Sequence, residues 1–85
     1  MQNATNNALQ KNFEIKRTMR YVDVILPLPL DGLFTYTLPD ALEDKVQAGM
    51  RVLVPLGRSK TYTAMVLRLH DQKPAFKTRE VLQVL

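Results

Sequence analysis

Apolar residues along this chain fall into five short groups separated by turn-forming positions. Tyr21, Val22, Val24, Ile25 and Leu26 form a run that Pro27 stops, and Leu33–Leu38 contains Phe34, Thr35, Tyr36 and Thr37. Short runs of β-branched and aromatic residues predict two strands here. PDALEDKVQAG then reads as a polar connection with roughly one helical turn, closing on Ala48-Gly49 before a third strand over Met50–Val54. Pro55-Leu56-Gly57-Arg58-Ser59 predicts a hairpin turn, and Lys60–Leu69 is long enough to run back along the third strand. After a break at His70–Pro74, Val81–Leu85 supplies a fifth apolar group that ends on the last residue, the pattern expected of a fragment. Five short strands and little helix predict a mainly β fold, a small, partly open barrel of the OB or SH3-like kind.

The stretch LPLPLDGLFTYTLP, Leu26–Pro39, places three prolines around an apolar, aromatic segment. Proline has no N–H to give a ladder, so Pro27 and Pro29 exclude a central strand, and Asp31-Gly32 favours a turn. A stiff extended rim over Leu26–Leu30 is expected, leading into the strand that carries Phe34 and Tyr36.

Residues 1–19 are rich in Asn and Gln and have no sustained apolar period. They are expected to be a disordered polar leader, with a weak helical pattern between Leu9 and Ile15. The domain proper is expected over residues 20–85. An 85-residue chain is expected to be one small domain or a fragment of a larger chain, too small for an independent multi-step enzyme. The absence of cysteine excludes a disulfide framework and a thiolate zinc site. The longest apolar run, Val24–Leu30, is interrupted by two prolines and falls far short of a membrane span, so a cytoplasmic chain with no membrane partner is expected.

The net charge of +4 matters less than its placement. Lys11, Lys16, Arg17 and Arg20 stand against Glu14 alone in the first 20 residues, whereas beyond them basic and acidic side chains nearly balance. Basicity by itself therefore argues only weakly for a polyanionic partner.

Candidate chemistry is sparse. Gly57–Thr61, GRSKT, echoes the end of a P-loop, but Ser59 stands where the final glycine belongs, and the context is strand-turn-strand. A basic β-turn is the reading. His70, the single histidine, adjoins Asp71 but lacks the partners of a triad or metal site, and reads as a solvated strand-end residue. Glu43-Asp44 reads as part of a solvated connection. No catalytic or metal-ligating residue is assigned. Phe34 and Tyr36 share one face of their strand while Thr35 points to the other, which allows core aromatics or a wall for nucleobase stacking. In the second case Arg58, Lys60 and Arg79 would supply phosphate contacts.

Three segments give these residues a family. V-x-L-P-x-P-L at Val24–Leu30, F-x-Y-x-L-P at Phe34–Pro39 and A-G-x-R-V-x-V-P-x-G at Ala48–Gly57 agree in order and spacing with the start of the PriA family of replication-restart helicases, primosomal protein N′. The resemblance covers Arg20–Leu85. It implies an N-terminal DNA-binding domain that captures the 3′ end of a nascent leading strand at a stalled fork, without catalysis of its own. For the whole protein it implies a 3′ to 5′ helicase using ATP and Mg²⁺, a cysteine-rich module holding Zn²⁺, and single-strand binding and primosome proteins as partners. Its expected location is cytoplasmic and nucleoid-associated.

Carried over by position, the resemblance implies a terminal-nucleotide pocket of Phe34, Thr35, Tyr36, Gly57 and Arg79, with Arg58 and Lys60 as phosphate contacts. One position departs from the family pattern, which has an aspartate between the two aromatics where this chain has Thr35. A hydroxyl donates or accepts whereas a carboxylate only accepts, so base contact is expected to weaken or to pass to backbone groups. A protein-interaction barrel, with Phe34, Tyr36 and the proline rim against a partner or helicase lobe, is the alternative.

Overall fold

A computed structural model describes residues 19–85, and the expected leader lies outside the described residues except for Met19. Five strands form one antiparallel sheet: β1 (Tyr21–Ile25), β2 (Phe34–Thr37), β3 (Arg51–Leu56), β4 (Lys60–His70) and β5 (Gln83–Val84), in the order β2-β1-β4-β3-β5. A short 3₁₀ helix, Asp40–Lys45, joins β2 to β3 and is the helical turn the polar connection predicts.

The register gathers alternate residues onto one face. Val22 pairs with Tyr36 and Leu69, Val24 with Phe34 and Val66, Val52 with Ala64 and Val84, and Val54 with Tyr62. Val22, Val24, Val52, Val54 and Val66 are fully buried there, and Leu26, Tyr36, Leu38, Val46, Ala64 and Val81 complete the core. This period of two is what the sequence pattern requires of a half-buried sheet.

The sheet curls but does not close. β2 and β3 are brought together by the segment that leads into β5: Thr37 N–H donates to the Arg79 carbonyl, Val81 N–H to the Thr37 carbonyl, and Leu82 N–H to the Leu53 carbonyl. The result is the mainly β, partly open architecture expected.

Two local expectations are corrected. The hairpin turn is shorter than Pro55–Ser59, because Pro55 and Leu56 remain in β3, opposite Thr61 and Lys60. Backbone groups of Arg51 and Leu53 face β5, so those of Pro55 face the same side, beyond the end of β5. Its missing N–H therefore interrupts no ladder bond. The turn falls on Gly57–Ser59, with Gly57 at φ +74°, a conformation that glycine adopts without strain. The proline rim is bent where an extended segment is expected, since Leu30 N–H donates to the Leu28 carbonyl at 2.7 Å in a γ-turn centred on Pro29.

A β-bulge breaks the alternation of β4. Asp23 pairs with Arg68 but Val24 with Val66, leaving Leu67 unmatched. The extra residue reverses the phase, turning Leu69 inward and placing Arg68 and His70 on the face of Asp23.

Candidate nucleic-acid interface

Where the edges of β2 and β3 face each other, a cavity of about 420 Å³ opens to solvent. Leu33, Phe34, Thr35 and Tyr36 form one wall and Pro55, Leu56 and Gly57 another. Phe76, Lys77, Thr78 and Arg79, from the strap between β4 and β5, form the third. All five residues that the resemblance implies for a pocket, separated by up to 45 positions, thus line one cavity. Arg58 and Lys60 do not line it; they lie exposed on and just after the adjoining turn.

Each wall is tied to the next. The Tyr36 hydroxyl donates to the Pro55 carbonyl at 2.7 Å, using the outward-facing acceptor that β5 leaves open. Arg79 Nη1 donates to the Gly57 carbonyl at 2.6 Å, and the Thr37 and Thr78 hydroxyls are hydrogen-bonded to each other. Burial pushes the Tyr36 hydroxyl above its ordinary pKa, and the positive charge of Arg79 partly offsets this. Tyr36 thus stays neutral and donates at physiological pH. At 4 % exposure it belongs to the core as well as to the cavity wall, while Phe34 is only partly buried. One ring is thus both a core residue and part of the cavity lining.

Thr35 reaches the cavity differently. Its hydroxyl turns to the opposite face and donates to Asp23 Oδ1 at 2.6 Å. Its backbone is the part that remains on offer. Thr37 uses N–H and C=O on the open edge of β2, and residues two apart in a strand face the same side. The N–H and C=O of Thr35 therefore point into that edge, with no backbone partner among the described residues. One donor and one acceptor at fixed spacing suit the edge of a base.

Behind this wall Asp23 is buried at 4 % exposure and accepts from three side chains. Besides Thr35, Arg68 Nε donates to Oδ2 at 2.7 Å and His70 Nε2 lies 3.1 Å from Oδ1. His70 Nδ1 accepts from the Gln72 N–H, so the neutral ring carries its proton on Nε2, facing the carboxylate. Burial alone would raise the Asp23 pKa, but the bonds from Thr35, Arg68 and His70 outweigh it and hold the carboxyl below its usual value. His70 is thus no solvated strand end: it pairs with Asp23, stacks on Tyr21 at 5.9 Å, and its side chain is 21 % exposed. The bulge at Leu67 creates this cluster, which residue spacing does not reveal.

The sequence reading also missed Phe76, Lys77 and Thr78. An aromatic interleaved with Lys77 and Arg79 in an otherwise polar loop is the signal that marks them.

The sequence has no cysteine, the described residues hold no cluster of three or more potential metal ligands, and Gly57–Thr61 spans a hairpin turn into β4. Among the described residues no helix is long and apolar enough to cross a membrane.

A curled β sheet with an aromatic cavity and neighbouring cations has the make-up of a nucleic-acid-binding module. The family comparison agrees: residues 23–85 match the family described as 3'DNA-binding domain (3'BD) of PriA. The chain belongs to this family, and is a DNA-binding module of the replication-restart type. It is 38% identical over 68 residues to the replication restart protein PriA of Haemophilus influenzae, covering 79% of this chain and 9% of that protein. No solved structure matches.

Proposed function

We propose that this chain captures the free 3′ end of a DNA strand, the nascent leading strand at a stalled fork, in the cavity between β2, the Gly57 turn and the 76–79 strap. The observation that carries this reading is the convergence of Phe34, Thr35, Tyr36, Gly57 and Arg79 on one cavity of about 420 Å³. The terminal base lies against Phe34 and the edge of Tyr36, and the Thr35 backbone meets its polar edge. Arg79, Arg58 and Lys60 offset phosphate charge, a contribution that weakens with salt. A terminal nucleotide fits such a recess, whereas a continuing strand would need a second opening, so shape selects the end.

The module acts within a larger ATP-dependent 3′ to 5′ helicase, whose ATP, Mg²⁺ and Zn²⁺ sites lie in other parts of the protein. Single-strand binding and primosome proteins are its partners, in the cytoplasm at the nucleoid. By itself this chain hydrolyses nothing.

Fluorescence anisotropy with short single strands tests the reading. A strand ending in a 3′-hydroxyl binds more tightly than the same strand ending in a 3′-phosphate. Equal binding of both would leave a generic basic surface as the source of affinity. A protein-docking role has one observation in its favour, an apolar recess of about 360 Å³ lined by Ile25, Leu26, Pro27 and Met65. Arg58→Ala with Lys60→Ala separates the two: DNA binding falls under end capture and is unchanged if the module only docks protein.

A further inference from the structure

Phe76 is the most exposed large apolar side chain among the described residues, at 63 %. A single exposed aromatic is ordinary on a protein surface, and its position is what distinguishes this one. It lines the cavity together with the less exposed rings of Phe34 and Tyr36, and Lys77 follows it immediately. The strap is not a loose loop at this point. Thr78 is held to Thr37, the Arg79 carbonyl accepts from the Thr37 N–H, and the Arg79 side chain is bonded to Gly57. The backbone three residues beyond Phe76 is thereby fixed to β2, which limits where the ring and the Lys77 ammonium can stand.

A strand whose terminal nucleotide fills the cavity leaves through its open side, where the next base and the intervening phosphate meet the strap. A phenyl face half in water gains by stacking on a base, whatever the base, and a solvated ammonium is suited to a phosphate. Lys77 forms no ion pair among the described residues that would compete for it. We propose that Phe76 and Lys77 form a second subsite: the base next to the 3′-terminal one stacks on Phe76, and Lys77 pairs with the phosphate between the two nucleotides. The subsite rests on the end-capture reading and extends it from one nucleotide to two. It makes no base-specific contact, so it adds affinity without sequence preference.

The test uses the 85-residue chain and short single strands with a free 3′-hydroxyl, either intact or abasic at the second position. The native chain binds the intact strand on the order of tenfold more tightly than the abasic one. Phe76→Ala and Phe76→Leu remove that difference, and Phe76→Tyr retains it. Lys77→Gln lowers the salt dependence of binding by roughly 0.7 in log–log slope. An unchanged ratio of intact to abasic binding in Phe76→Ala overturns the subsite. Failure of end capture itself is seen separately, as equal binding of both 3′ termini by the native chain, and removes the subsite with it.

Discussion

Two cavities among the described residues are similar in volume, about 360 and 420 Å³, and unlike in chemistry. The smaller is walled by Ile25, Leu26, Pro27, Ala64 and Met65, with Thr63 and Arg51 beside them. The larger joins two aromatics of β2 to Pro55, Gly57, Phe76, Lys77 and Arg79, and has the open backbone of Thr35 on its edge. Volume does not separate a binding site from a surface recess; convergent polar groups on an apolar wall do. The difference traces to topology. The smaller recess lies over strands already paired on both sides, whereas the larger sits where the sheet fails to close and leaves edge groups unpaired.

The strongest way to break this comparison is to remove the wall that the larger cavity shares with the core. Tyr36→Ala is expected to cost about 3–5 kcal/mol, since the ring is buried, and to abolish DNA binding. Tyr36→Phe keeps the ring and loses the bond to Pro55, at about 1 kcal/mol. Urea denaturation measures both, and a Tyr36→Ala chain of native stability would show that the ring is not core.

Next in size is the support behind the wall. Asp23→Asn is expected to cost about 1.5–3 kcal/mol, because the carboxylate holds Thr35, Arg68 and His70 from a buried position. The Asp23 pKa is lower folded than unfolded, so the folded chain binds fewer protons and stability rises with pH in this window. The contribution is complete above the ordinary carboxylate range and is lost as pH falls through the lowered value. Urea midpoints measured across acid pH should show this loss in the native chain and a weaker dependence in Asp23→Asn. Parallel curves would mean that the cluster adds nothing.

Smaller effects distinguish rim from recess. Arg58→Ala and Lys60→Ala are both expected to leave stability within about 0.5 kcal/mol and to weaken DNA binding at every sequence alike. Salt titrations should become shallower by roughly 0.7 per charge removed. Met65→Ala, in the smaller recess, is expected to change stability by about 0.5 kcal/mol or less and DNA binding not at all. A weakened DNA complex in that variant would make the smaller recess part of the interface.

Much of the strand plan is legible in the residues. Tyr21–Leu26, Leu33–Leu38 and Lys60–Leu69 announce β1, β2 and β4 through β-branched and aromatic content, within a residue or two of the observed ends. Pro55 is misplaced because proline signals a turn wherever its missing donor matters, and whether it matters depends on which neighbour strand has already ended. Of the site, Phe34, Thr35, Tyr36, Gly57 and Arg79 are reached through family resemblance, since no spacing rule links β2 to a strap more than 40 residues away. His70 is misread for a similar reason: its partner is Asp23, 47 positions earlier, rather than neighbouring Asp71.

The sequence by itself determined the strand set, the turn that holds Gly57 and the family. These follow from local steric preference and period-two burial, which act within a few residues. Tertiary structure alone decided that Leu67 bulges out of β4 and delivers Arg68 and His70 to Asp23. It also decided that the strap crosses the open seam to bring Phe76 and Lys77 beside Phe34. Both depend on pairing register between distant segments, and a slip of one residue there exchanges the two faces of a strand.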